Sequence, residues 1–192
     1  MKRLTQVTAA TLLTAVLANP ASAGAAVDTA DTAIAVDPAN QIEMHITANC
    51  ALATGQCTFN TRANLMTPEG PIGFPGETWA RQTITLRSPN RDVWQEAYFS
   101  APSGMPPENK ASNHDNVLSK AYKSISNVEI AVTTFGGGPI ERFSVDGTSV
   151  PTNWTDGRPN TTSDFIACTF IHVVYNGVDL TTPTACAQTR FS

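Results

Sequence analysis

Four cysteines, three histidines and a handful of aromatic residues are the side chains of this sequence with chemistry to offer. Cys50, Cys57, Cys168 and Cys186 form an even set, as a disulfide framework requires. Three pairings are possible. Cys50–Cys57 with Cys168–Cys186 keeps each bridge local and is the expected one; the alternatives tie the first strands to the last. A bridge across the 168–186 span contributes on the order of 3 kcal/mol through loop entropy. Zinc is the sharper reading of four cysteines, but no C-x-x-C pair exists and the spacings do not match zinc-finger patterns.

His172 alternates with Ile171 and Val173 in an apolar run and reads as a satisfied core imidazole. His45 falls beside Glu43 and Thr47 on the outer face of an alternating segment, as a surface titrator or one arm of a metal site. His114 precedes Asp115 in a polar loop, and adjacent side chains need not face one another. The G-x-S-x-G elbow, H-E-x-x-H and P-loop patterns are missing, so no catalytic residue, cofactor or metal ligand is assigned. The glycines 136–138 offer N–H groups to an anion, but with no following helix or nearby lysine they read as a hairpin or bulge. A glycosidase needs two carboxylates at a set separation. Glu43, Glu77, Glu96, Glu129 and Glu141 are candidates that sequence cannot pair.

Trp79, Trp94 and Trp154, with Tyr98 and Tyr122, are the residues for a carbohydrate-stacking platform. Trp79 and Trp94 share the outward-facing neighbours Arg81, Glu96 and Tyr98 and are expected on one sheet face. The plainer alternative has both filling a second core layer beneath the loops. The expected binding residues are Trp79, Trp94, Tyr98, His45 and Glu43.

The elements that must position these residues begin after a leader. Lys2 and Arg3 precede a short apolar run, and Ala21-Ser22-Ala23 ends it with the small residues that a signal peptidase requires. Residues 1–23 are therefore expected to be a signal peptide, with everything downstream in an oxidising compartment where disulfides persist. The remainder carries ten basic and 16 acidic residues, a formal charge of −6. Its bases are scattered, which argues against nucleic acid or an anionic membrane surface as partner. No later stretch reaches transmembrane length.

Residues 24–40, rich in Ala, Asp and Thr, read as a flexible lead-in, with Ala33 to Val36 a candidate for sheet-edge pairing. Residues 41–192 read as one β-sandwich domain. Ile42, Met44 and Ile46 alternate with polar residues, as do Cys57, Phe59, Thr61, Ala63 and Leu65. Thr78 to Arg87, Val93 to Ser100 and Asn127 to Phe135 continue the pattern. The segment TPEGPIGFPGE, residues 67–77, reads as irregular, and Pro102 to Asn116 as a polar loop. Val117 to Lys123 suits a short helix or a strand start. Ile140 to Val145 is expected to lead into an Asp146-Gly147 turn. Phe165 to Tyr175 is nearly continuously apolar, as a strand buried on both faces should be. Asn176-Gly177 is a hairpin signal. The fold class expected is an all-β, antiparallel, disulfide-stabilised β-sandwich of about seven or eight strands, Ig-like or similar.

GPIGFPGETWARQTITLRS, FGGGP and the C-terminal CTFIHVVYNGVDLTTPTACAQTRF together resemble a group of small secreted proteins of unknown function from mycobacteria and related actinomycetes. The resemblance spans about Cys57 to Phe191 and implies export to a bacterial envelope setting, without an activity. The expected function is a secreted, non-enzymatic binding or interaction module with a protein or glycan partner outside the cell. The alternatives are a secreted hydrolase acting on envelope polysaccharide or lipid, and a structural envelope protein.

Overall fold

The computed structural model describes residues 26–192; the expected leader lies outside them. Thirteen strands follow in order: β1 (Val27–Ala35), β2 (Gln41–Ala51), β3 (Gln56–Thr67), β4 (Gly70–Ile72), β5 (Trp79–Arg87), β6 (Val93–Ser100), β7 (Ala111–His114), β8 (Val117–Lys123), β9 (Asn127–Phe135), β10 (Ser144–Asn153), β11 (Phe165–Tyr175), β12 (Val178–Thr181) and β13 (Ala185–Thr189). One six-stranded sheet runs β1-β2-β3-β10-β6, with β4 beside β3. The other, seven-stranded, runs β12-β11-β5-β9-β8-β7, with β13 beside β11. Every pairing within the sheets is antiparallel. No helix among the described residues is long and apolar enough to cross a membrane.

Period-two alternation sends one side of each strand into the core. Ile42, Met44 and Ile46 of β2 are buried, as are Cys57, Phe59, Thr61, Ala63 and Leu65 of β3. Burying each larger aliphatic or aromatic side chain contributes about 1.5–3 kcal/mol. The core is not one apolar mass. Ile46, Phe59, Ile84, Leu86, Phe99 and Phe165 belong to one cluster, and Ile42, Met44, Leu65, Phe74, Ile171 and Val173 to a second. Between them sit the buried Thr61, Gln82 and Thr169. Gln82 Nε2 donates to Thr61 Oγ1 at 2.5 Å and to Thr169 Oγ1 at 3.5 Å, while Thr61 Oγ1 donates to Val145 O. Each occupies an inward position that its strand's alternation would otherwise give to an aliphatic residue.

Both local disulfides form, Cys50–Cys57 and Cys168–Cys186. Each joins residues directly opposite in register, Cys50 to Cys57 across β2–β3 and Cys168 to Cys186 across β11–β13. The first lies in the core, fully buried; the second lies on the outer side of the seven-stranded sheet, where Cys186 is exposed.

Several segments depart from the sequence reading. The lead-in carries strand β1, which pairs with β2 over its whole length, from Val27↔Asn49 to Ala35↔Gln41. Proline and glycine in residues 67–77 still leave room for β4, paired at Leu65↔Ile72. The polar loop after Pro102 contains β7, joined to β8 by Asp115 and Asn116 at φ 48° and 58°. Asp and Asn tolerate this left-handed backbone, which closes a two-residue hairpin. Asp146-Gly147 is not a turn but the interior of β10, paired on both sides. A Cβ on Gly147 would lie 2.4 Å from Tyr98 O and 2.6 Å from the Phe59 ring, so this glycine serves close packing. Val117–Lys123 is a strand, and Asn176-Gly177 does turn β11 into β12. β11 is buried on one face only: Ile166, Phe170, His172 and Val174 point outward and are half-buried. The glycines 136–138 direct their N–H groups to the carbonyls of Thr78, Gly76 and Phe74.

Candidate functional site

The outer face of the six-stranded sheet gathers most of the expected binding residues. Glu43 and His45 project from β2, Trp94 and Tyr98 from β6. Trp79 does not join them. It belongs to β5 in the opposite sheet, so the expectation that Trp79 and Trp94 share one face is corrected. The cause is the connection between β5 and β6, which crosses from one sheet to the other; similar outward patterns therefore end on opposite sides of the sandwich. Trp79 instead meets His172 edge-on at 5.3 Å, and His172 Nε2 lies 2.7 Å from Asp179 Oδ1. His172 is thus a half-exposed outer-face residue rather than a core imidazole. Trp94 packs against Trp154 at 5.7 Å, and Trp154 Nε1 donates to Ile125 O. Neither Trp79 nor Trp94 is fully buried.

Register explains the surroundings of His45. Asp31 of β1 sits directly opposite it, and Asn64 of β3 opposite Glu43. His45 Nδ1 lies 2.5 Å from Asp31 Oδ1. Asn64 Nδ2 donates to Glu43 Oε2 at 3.0 Å, which turns Asn64 Oδ1 toward His45 Nε2 at 2.9 Å. Gln41 Nε2 donates to Glu43 Oε1 at 2.7 Å. Both ring nitrogens therefore face oxygen atoms, with Asn64 fully buried beneath them. This is a closed network in which Glu43 and His45 satisfy neighbouring strands. No group of three or more potential ligands among the described residues is placed to hold a metal ion.

The open part of the same face begins one row beyond His45. Pairing places Thr47, Asn60, Asp146 and Ser100 in one row and Thr58, Thr148 and Tyr98 in the next. Together with Pro107 they line a groove of about 650 Å³. Gly147 and Phe59 also line it; the missing side chain of Gly147 lies on the inward side, where its backbone packs on the Phe59 ring. Tyr98 forms an aromatic wall with 45% of its surface exposed. Asp146 accepts a short hydrogen bond from Ser103 Oγ, which fixes its carboxylate. Tyr98 was legible in the sequence as an outward aromatic residue. Asn60, Asp146 and Thr148 were not, because alternation assigns a face but not the neighbour that brings β10 between β3 and β6.

Two pKa displacements stand out, both away from the groove. Asp37 is held below the ordinary carboxylate value by the Asn40 side chain and by the N–H groups of Ala39 and Asn40. Burial, with the negative charge of Asp37, pushes Tyr175 up.

These features define a disulfide-linked, two-sheet antiparallel sandwich with an aromatic-walled groove, bordered by polar side chains, on one outer face. No protein-family model and no curated protein matches the chain. A solved structure described as "Pore forming protein" aligns with 7% identity over 85% of this chain and 86% of that one, at a TM-score of 0.24. So low a score carries no argument about function.

Proposed function

We propose that the chain is an exported, non-enzymatic binding module that recognises its partner with the outer face of the six-stranded sheet. The observation that carries this reading is the groove around Tyr98, an exposed aromatic ring bordered by side chains with unused hydrogen-bonding capacity. Asn60, Thr47 and Thr148 make no side-chain hydrogen bond to the described residues, whereas Glu43 and His45 are occupied by one another's neighbours. Binding sites combine concave apolar surface with a few such polar groups. Export is supported by the leader-like sequence of residues 1–23, by two disulfides, and by the resemblance to exported actinomycete proteins.

The test is co-sedimentation of residues 24–192 with a washed actinomycete cell-envelope fraction. Wild type and Trp79→Ala should sediment equally, and Tyr98→Ala should stay in the supernatant while melting like wild type. Equal sedimentation of Tyr98→Ala and wild type would remove the groove from the recognition surface.

A further inference from the structure

We infer that the ligand of the groove is a neutral glycan, stacked on Tyr98 and hydrogen-bonded by the strand side chains beside it; this rests on the binding reading above. The chemistry of the lining discriminates among ligand classes. A phosphorylated or sulfated ligand, or a nucleic acid, needs clustered Lys or Arg, and none lines this groove. Its one formal charge is the carboxylate of Asp146, which repels anions and accepts hydrogen bonds from hydroxyls.

A lipid tail or the apolar core of a protein interface requires an uninterrupted greasy surface. Here the apolar lining of Tyr98, Phe59 and Pro107 is interrupted by Asn60, Thr47 and Thr148, whose hydroxyls and amide have no protein partner among the described residues and would lose water without replacement under an apolar ligand. A pyranose answers each feature. Its C–H face covers the exposed ring, and its hydroxyls both donate and accept. The planar Asn60 amide and Asp146 carboxylate can each engage a pair of neighbouring hydroxyls. Asn60 and Asp146 are directly opposite in register, and Tyr98 lies opposite Thr148, two residues along β10 from Asp146. A flat ring laid on Tyr98 therefore meets the polar row at its edge. The volume of about 650 Å³ admits a short run of sugar units rather than one monosaccharide.

The experiment treats the same envelope fraction in two ways before co-sedimentation. Periodate, which cleaves vicinal diols, should lower binding at least tenfold, while proteinase K should leave it within about twofold. Binding should persist at 0.5 M NaCl, because no ion pair sustains it. Affinity electrophoresis through arabinogalactan, mannan and dextran gels then reads the ligand directly: retardation by a neutral polymer, weakened about tenfold in Tyr98→Ala and retained in Tyr98→Phe, is the supporting result. Loss of binding after proteinase K with survival after periodate overturns the glycan inference but leaves the groove as binding site, provided Tyr98→Ala still fails to sediment. Undiminished sedimentation of Tyr98→Ala overturns the binding reading itself.

Discussion

Gln82 of β5 reaches across the sandwich to Thr61 of β3, its Nε2 donating to Thr61 Oγ1 at 2.5 Å. The two residues belong to opposite sheets, and the bond crosses the plane where the two apolar clusters of the core meet. A buried polar contact of this kind adds modestly to stability but permits few alternative alignments, since a slipped sheet leaves its members unpartnered.

Gln82→Ala should therefore destabilise by about 2–4 kcal/mol, through a cavity and the loss of the partner of Thr169 Oγ1, while Thr61 Oγ1 keeps its bond to Val145 O. Gln82→Met, close in volume, should cost about 1 kcal/mol. Urea melts of the two variants check this. Equal losses would show that the hydrogen bond, and not the filled volume, dominates.

The two disulfides should differ in accessibility. Cys50 and Cys57 have no exposed surface, whereas Cys186 is open to solvent beside Cys168. Mild reductant with iodoacetamide should label Cys168 and Cys186 in the folded protein and spare Cys50 and Cys57 until unfolding, as read by peptide mass mapping. Cys168→Ser/Cys186→Ser should lose about 3 kcal/mol. First labelling at Cys50 and Cys57 would contradict the assigned burial.

Gly147 couples the core to the groove. Its missing Cβ leaves room for Phe59 beneath and the Tyr98 carbonyl beside it. Gly147→Ala should cost about 1–3 kcal/mol by overpacking and weaken ligand binding with it. Phe59→Leu in the same chain should restore part of both, measured by thermal melts and sedimentation. Absence of any cost for Gly147→Ala would refute this packing.

Asp37 closes the β1–β2 hairpin by accepting from Ala39 N and Asn40 N at 2.8 and 3.0 Å and from the Asn40 side chain. These bonds favour the charged carboxylate, so its folded pKa is lowered. The stabilisation is present above the ordinary carboxylate range and is lost as pH falls through the lowered value. In an NMR pH titration, the Ala39 and Asn40 amide shifts should move together with a midpoint below 3.8. A midpoint at or above that value would contradict the turn geometry.

Much of this architecture was legible because alternation encodes burial residue by residue. Ile42, Met44 and Ile46 faced inward as their spacing required, and Asn176-Gly177 turned the chain where its backbone preference allows. The pairing of the cysteines followed from locality. What could not be read was adjacency between strands distant in sequence. Trp79 and Trp94 have the same local pattern, and only the crossover between β5 and β6 separates their faces. Asp146-Gly147 looks like a turn in isolation, and its role as strand interior depends on Phe59, far away in the chain. His172 sits in an apolar run, but the outer face of β11 is only partly covered, and that cover is a matter of tertiary structure.

Recognition at the Tyr98 groove has an internal control within the chain. Tyr98 and Tyr122 are similarly exposed, at 45% and 47%, on opposite sheets. Hydroxyl-radical footprinting, with and without the envelope fraction, compares their oxidation in one sample. Recognition at the groove requires that bound protein be protected at Tyr98 and unchanged at Tyr122. Protection of Tyr122 with Tyr98 still fully reactive would place the interface on the seven-stranded sheet and contradict it.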